Sequence, residues 1–374
     1  MTGVKKVIVI GNSVRSIACS ARRAGYTVYA LDRFGDVDTQ KCAIKAQIIE
    51  HMDDRELQHN IGSFGGADAI VLGPGFEHLK FKNALNNPEE IMEEAGNKSK
   101  LPKKLRSMGI PHPGTEPIGK ADVLGFPLMV KPISGSGGMK NIKVRNDEEL
   151  NLFRKRRDSH EFIAQEFVEG IPCSASVIST GDEAVVVAVN EQLIGIQRLT
   201  RLPFAYCGNV TPFETIFRKL IEEYSKQIAI EFKLQGSNGI DFMLTEKGVY
   251  VIEVNPRFQG SIDTVELSTG LNVFDAHIKS FSGELPKLRE PQCFAAKNII
   301  YADKKLKINR DISDTLVKYM SKGKAADIPH PGQEVSLDEP VTTILATART
   351  RKMVKYKVCR TAQYIKSKTN KTEV

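Results

Sequence analysis

The chain is predicted to be α/β at its start and α+β thereafter, in three units: residues 1–97, 98–285 and 286–374. Three observations carry this reading. β-branched runs alternate with a helical stretch in βαβ order over the first ~95 residues. Beyond about residue 100, strand and turn signals crowd together as antiparallel sheets require. A length of 374 residues is enough for two or three domains at roughly 100–200 residues each. Hydrophobic residues at 41% and charged residues at 26% are ordinary globular usage, which excludes wholesale disorder, collagen-like repetition and a disulfide scaffold.

In the first unit, residues 6–10 read as a strand and Gly11-Asn12-Ser13 as a turn. Residues 16–24 read as a helix ending at Gly25, where a left-handed cap needs glycine, and residues 26–31 as the next strand. A further apolar strand, residues 69–72, runs into Gly73-Pro74-Gly75. The pattern is a Rossmann-like, doubly wound parallel sheet, with ligands expected at the strand ends 11–15, Asp32 and 73–77. The first βα turn lacks the second glycine that lets backbone approach a pyrophosphate, although Asp32 stands where a ribose-binding acid would. A dinucleotide-dependent oxidoreductase is therefore a weak alternative, and another small molecule at these strand ends is favoured.

A helical stretch over 88–108 leads through Gly109-Ile110-Pro111 into the second unit. There strands are predicted at 126–133, 141–145, 162–166, 174–179 and 184–189, with a helix at 147–157. After Ser282 the chain turns Pro- and Lys-rich, and residues 341–346 read as a strand in a small β-rich C-terminal cap.

The longest purely apolar run, residues 184–189, is far short of the roughly 20 needed to span a bilayer. The N-terminus has too few apolar residues for a signal peptide. A cytoplasmic location is expected, and with it six reduced thiols at Cys19, Cys42, Cys173, Cys207, Cys293 and Cys359, none in a Cys-x-x-Cys pair. The formal charge of +8 is local. Of 53 Lys and Arg and 45 Asp and Glu, residues 349–374 hold nine and one, leaving 44 of each in the rest of the chain. That segment reads as a solvated strand and frayed tail, with a contact to phosphates or an acidic partner as the alternative.

Two constellations can do chemistry. Lys131-Pro132-Ile133-Ser134-Gly135-Ser136-Gly137-Gly138 is a strand delivering a lysine into a glycine-rich loop, a candidate phosphate cradle in which successive N–H groups turn toward one anion. The second is the hairpin 237–257. With Glu246-Lys247-Gly248 as a three-residue loop, Asp241 falls opposite Glu253, and Asn255 lies two residues on along the same face. Phe242, Leu244, Tyr250, Ile252 and Val254 would fill the other face, with Met243, Val249 and Val251 beside the acids. Facing carboxylates repel unless a cation lies between them, and an all-oxygen set without His or Cys favours Mg²⁺ or Mn²⁺.

With these motifs in place the sequence resembles the ATP-grasp superfamily over about residues 98–280, and in overall order the archaeal-type predicted ATP-dependent carboligases. The resemblance implies a two-part ATP-grasp domain flanked by the Rossmann-like unit and the cap. It implies that Lys98 and Lys131 bind the α- and β-phosphates and that Ser134, Gly135, Ser136, Gly137 and Gly138 cover the β- and γ-phosphates. It places adenine at the hinge of Glu166, Phe167 and Val168. Asp241, Glu253 and Asn255 would ligate the metal, and Arg257 would steady the transferred phosphoryl group. The ribose-binding acid of many members is replaced by Cys173, which leaves Glu169 as a substitute. The implied activity is an ATP- and Mg²⁺-dependent ligase that converts a carboxylate to an acylphosphate and couples it to an amine; the alternative is a carboxylase activating bicarbonate. Catalytic weight would fall on Arg257, Lys131 and Asn255. The expected partners are small-molecule acid and amine substrates, with neither membrane nor nucleic acid expected, and a homodimer compatible with the sequence.

Residues 198–211, with Arg198, Arg201, Tyr206 and Asn209, are predicted as a lid or an ordinary surface loop. The histidines His51, His59, His78, His112, His160, His277 and His330 show no ligand spacing and are expected at the surface or in loops. Deleting the basic tail is expected to leave ATP binding intact.

Overall fold

The computed structural model describes residues 3–49, 54–77, 79–135 and 137–370; His51, His78 and Ser136 lie outside them. Strands β1 (Lys6–Gly11), β2 (Thr27–Asp32), β3 (Lys45–Ile48) and β4 (Ala69–Leu72) form a parallel sheet in the order β3-β2-β1-β4. Helices α1 (Arg15–Arg23), α2 (Val37–Cys42) and α3 (Asp54–Ser63) connect them. The winding reverses beside β1, and the ends of β1 and β4 meet where Asn12 N–H donates to the Pro74 carbonyl at 2.9 Å. Such a switch point opens a crevice at the carboxyl ends of the strands. Gly25 has a φ of +92°, as its capping position requires.

Cys19 on α1 and Cys42 on α2 form a disulfide with Cα atoms 5.0 Å apart, which corrects the expectation of six thiols. The packing of the two helices brings the pair together, and a separation of 23 residues carries no sequence signature. The other four cysteines are free.

The predicted helix 88–108 is two helices, α4 (Glu89–Gly96) and α5 (Leu101–Ser107). Pro102 occupies the first turn of α5, where its fixed φ is favourable, and cannot extend the preceding helix. In the break, Asn97 Oδ1 accepts from Ser99 N–H at 2.9 Å, and the turn presents Lys98. Strands β5 (Thr115–Pro117), β6 (Leu128–Pro132), β7 (Ile142–Val144) and β8 (Phe162–Glu166) make a small antiparallel sheet in the order β5-β8-β6-β7. Helix α6 (Asp147–Arg154) covers it with Leu150 and Phe153. Asn146 caps α6 by accepting from Glu149 N–H, and Glu149 reaches back to Arg145 N–H, a reciprocal capping arrangement.

The main sheet has eight strands in the order β13-β12-β9-β10-β11-β14-β18-β16. Its members are β9 (Ile171–Thr180), β10 (Ala184–Ile194), β11 (Tyr206–Thr211), β12 (Gln235–Thr245), β13 (Gly248–Asn255), β14 (Phe294–Tyr301), β16 (Ala325–Ala326) and β18 (Pro340–Ala348), while β15 (Leu306–Lys307) and β17 (Glu334–Val335) pair as a separate ribbon. Helix α7 (Arg218–Glu231) buries Ile221, Ile228 and Ala229 against one face. Helices α8 (Ile262–Thr269) and α9 (Val273–Ser280) fill the space between the other face and the parallel sheet. The strands of the expected C-terminal cap thus continue the sheet of the preceding unit, because β14 pairs along eight residues with β18 and also with β11.

Three further expectations change. Residues 206–211 are the central strand β11, with Asn209 and Thr211 fully buried, so this part of the predicted lid is core. His277 is buried on α9, accepts from Ser237 N–H at its Nδ1 and lies 2.8 Å by Nε2 from the Leu85 carbonyl; burial holds its imidazole down to about 4. The basic tail is helix α11 (Arg351–Asn370), not a strand and frayed end. Val354, Val358, Ala362 and Ile365 recur at helical spacing and bury against β14, β18 and α10 (Arg310–Met320), leaving most of the basic residues for the outer face, while Lys366 is buried and paired with Asp303 at 2.8 Å. No helix among the described residues is long and apolar enough to cross a membrane.

Candidate active site

The hairpin β12–β13 closes through a two-residue turn, Glu246-Lys247, with Thr245 opposite Gly248. One residue fewer in the turn would misplace the acids. A bulge between Asp241 and Phe242 restores the register, so Asp241 pairs with Glu253 and Gly239 with Asn255. The same bulge redistributes the faces: Val249 and Val251 join Phe242, Leu244 and Val254 in the core, whereas Tyr250 and Ile252 are only partly buried. The two-fold alternation assumed for an unbroken ladder therefore fails for the apolar residues and holds for the acids.

Around the acids, Asn255 Nδ2 donates to Asp241 Oδ2 at 3.3 Å and Arg257 donates to Asn255 Oδ1 at 2.9 Å. Lys98 Nζ lies 3.5 Å from Glu253 and donates to the Gly135 carbonyl at 3.1 Å. Lys131, on β6 and nearly fully buried, reaches the Ile252 carbonyl at 3.5 Å. One cluster thus collects three cations, two carboxylates and an amide from both sheets. Burial, then the charge of Glu253, pushes the Asp241 carboxyl up to about 7. Burial pulls the Lys131 ammonium down to about 8 against the attraction of Glu253. Among the described residues there is no group of three or more His, Cys, Asp or Glu suited to a metal, so a cation here would take two carboxylates and an amide and draw its other ligands from phosphate and water. Hard oxygen donors at a like-charged pair fit Mg²⁺ or Mn²⁺.

Two contributors escaped sequence reasoning. Gln192 on β10 donates to Asp241 Oδ1 at 3.0 Å. Glu77, from the loop after β4, pairs with Arg257 at 2.7 Å. Glu77 lies within the strand-end segment read as ligand-facing, but only the fold brings it to this arginine.

The hinge candidates lie at the end of β8. Glu166 is exposed and accepts from Gly114 N–H at 2.8 Å. Lys143 Nζ sits 3.7 Å above the ring of Phe167, Val168 is half-buried, and Glu169 is exposed, 3.8 Å from Lys143. Cys173 is turned into the core, where burial raises its thiol far above the ordinary range, so it offers no ribose contact. In the glycine loop, Ser134, Gly135 and Gly137 are exposed. Gly137 accepts from Tyr206 N–H at 3.0 Å. Gly138 has a φ of +69°, and a Cβ there would collide with the Phe204 carbonyl.

A cavity of about 310 Å³ opens beside this cluster, lined by the β1 and β2 ends, by Gln259 and Gly260 after Arg257, and by residues of β14, β17 and β18. It lies between the strand ends and residues 257–261.

The raised Asp241 has a measurable consequence. Between about pH 4 and 7 the folded chain holds a proton that the unfolded chain has released, so ligand-free stability falls as pH rises through that window. Melting temperatures at pH 5 and pH 7.5 without nucleotide should show this loss in the wild type and a smaller one in Asp241→Asn; equal losses would count against the assignment.

Residues 95–261 match a family model described as the ATP-grasp domain. The chain is 26% identical over its whole length to an uncharacterized protein of Methanocaldococcus jannaschii, covering 96% of that protein. Among solved structures it resembles the biotin carboxylase domain of Hydrogenobacter thermophilus 2-oxoglutarate carboxylase, solved with MgADP and bicarbonate, at 18% identity and a TM-score of 0.73, covering 96% of this chain and 89% of that one. It also resembles Staphylococcus aureus N5-carboxyaminoimidazole synthetase complexed with ADP, at 17% identity and a TM-score of 0.72, covering 96% and 97%. At these identities the structural likeness establishes the fold.

Proposed function

The chain carries an ATP-grasp domain at residues 95–261, and from that premise we propose that it is an ATP- and Mg²⁺-dependent ligase that activates a carboxylate as an acylphosphate and couples it to an amine. The observation that carries this reading is Asp241 facing Glu253 with Lys98, Lys131 and Arg257 gathered around the pair.

In this reading Asp241, Glu253 and Asn255 hold Mg²⁺ or Mn²⁺, which when bound offsets charge on the phosphates. Lys98 and Lys131 bind the α- and β-phosphates. Backbone N–H groups of residues 134–138 cover the β- and γ-phosphates, and Glu166, Phe167 and Val168 receive the adenine, with Glu169 nearest the ribose. A substrate carboxylate oxygen attacks the γ-phosphorus, ADP departs, and the amine nitrogen then displaces phosphate from the acyl carbon. Arg257 and Lys131 neutralise charge that grows during phosphoryl transfer, and Asn255 orients Arg257. The reaction needs positioning and charge and no covalent nucleophile, which agrees with the buried thiols of Cys173 and Cys207. Cytoplasmic ATP and Mg²⁺ make the cytoplasm the natural compartment. The pairing of Arg257 with Glu77 supports the acid substrate lying where the strand-end loop meets the phosphoryl site.

A second reading, a carboxylase activating bicarbonate, is favoured by the likeness to the bicarbonate-bound carboxylase domain. ADP release separates the two. An acid-by-amine screen should yield release that requires both organic substrates; release requiring bicarbonate with no amine would favour the carboxylase, and no nucleotide turnover with any acid would contradict both.

A further inference from the structure

The cavity next to the phosphoryl site carries an unusual charge arrangement. Its basic side chains are already committed. Arg15 forms a two-nitrogen pair with Asp263 and binds Asp327 at 2.7 Å. Lys297 donates to Asp263 at 3.2 Å and to the Gly260 carbonyl at 2.7 Å. Asp327 is held by Arg15, and Asp38 accepts from the backbone N–H groups of Asp327 and Ile328. Asp36 is different. It lines the cavity, is 5% exposed, and precedes α2 without capping it. Among the described residues its carboxylate has no hydrogen-bond or ion-pair partner. Burial, then Asp327, Asp32 and Asp38, raises its carboxyl well above the usual range against the smaller, long-range attraction of Arg15.

A buried carboxylate without a partner is costly and is relieved by a cation. A metal ion is a poor occupant, since the neighbouring carboxylates are spent on Arg15 and on backbone N–H groups rather than converging with Asp36. Phe34, Phe258, Tyr206, Tyr301, Ile299 and Val341 give the wall, beside serine, threonine and glutamine side chains, aromatic and aliphatic surface that suits the stem of an organic cation and can face its ammonium. An anion would meet Asp36 and find Arg15 and Lys297 neutralised.

We propose that this cavity binds a small organic amine as the acceptor substrate, entering as its ammonium on Asp36, which takes the proton the nitrogen must lose before it attacks the acyl carbon, with its apolar body along the aromatic wall. The proposal rests on the ligase reading above and deepens it by assigning the substrate class. At about 310 Å³ the space is at the lower end of ligand cavities, which matches a small amine.

The test is thermal stability and calorimetry on the full chain in saturating Mg·ADP, with n-butylamine, putrescine and L-lysine as probes and butanol, butyrate and bicarbonate as neutral and anionic controls. At least one cation should bind the wild type where the controls do not, and Asp36→Asn should weaken it at least tenfold while keeping the Mg·ADP response. Asparagine has the same shape and caps helices well, so the retained Mg·ADP response certifies a folded variant. Binding of butyrate or bicarbonate without any amine, an amine affinity unchanged in Asp36→Asn, or no amine binding beside an intact Mg·ADP response would each overturn the proposal. Asp36-dependent amine binding without any Mg·ADP response would leave the cation site standing and overturn the ligase reading instead.

Discussion

Replacing Glu253 by glutamine is expected to abolish the stabilisation by Mg·ATP and to lower turnover by two or more orders of magnitude, roughly the loss on removing one preorganised electrostatic group from such a site. The change keeps the shape of the side chain and removes one of two facing carboxylates. In the ligand-free protein this relieves Asp241, whose carboxyl is raised by burial and by Glu253, and also takes a partner from Lys98, so each protein's own ligand-free melting curve is the baseline. Against that baseline, a ligand at a hundred times its dissociation constant adds about 2.7 kcal/mol to a protein that binds it only when folded. Melting curves with and without Mg·ATP should therefore shift for the wild type and barely move for Glu253→Gln. Equal shifts would remove Glu253 from the metal site; a variant that fails to melt cooperatively would make its carboxylate a structural requirement.

Ending the chain at Thr350 is expected to unfold it. Without α11, the core against β14 and β18 loses Val354, Val358, Ala362 and Ile365, and burying one Val or Ile side chain contributes roughly 1.5–3 kcal/mol. Three such residues alone approach the whole stability of a typical domain, about 5–15 kcal/mol. The truncation also strips Arg351 and Lys355 from Glu191, which they hold at 2.7 and 3.0 Å and which has its side chain 9% exposed. Glu191 is followed on β10 by Gln192, the donor to Asp241, so the damage reaches Asp241 and the proposed metal site as well. Near-ultraviolet circular dichroism and a melting scan would decide this: a cooperative transition with an undiminished Mg·ATP shift would show the helix to be dispensable, as the sequence alone suggested.

What was legible in the sequence was what depends on short-range pattern. The βαβ unit, the glycine-rich loop after Lys131 and the pairing of Asp241 with Glu253 all follow from local periodicity and turn chemistry. Even the hairpin was reached through compensation, since the shorter turn and the bulge cancel at Asp241 and fail to cancel at Val249 and Val251. Contacts made over long separations were not legible. The Cys19–Cys42 bridge, the Glu77–Arg257 pair and the burial of His277 depend on which helix lands on which sheet. The basic tail misled because nine positive charges masked an apolar stripe at helical spacing. Asp36 carried no signal at all: an aspartate before a short helix reads as a cap, and only the cavity reveals that it caps nothing.

The knot of side chains around Arg15 also bears on the order in which the molecule comes into being. Arg15 is joined to Asp263 across 248 positions and to Asp327 across 312, and contacts so distant along the chain close late, after the loop entropy between them has been overcome. On the ribosome, the parallel sheet can begin to form while the segment carrying Asp327 and β18 is still being made. The proposed acceptor cavity cannot, because its walls come from both ends of the chain. Completion of the C-terminal segment would then close the proposed acceptor cavity and, through α11 and Glu191, steady the strand that carries Gln192 beside Asp241.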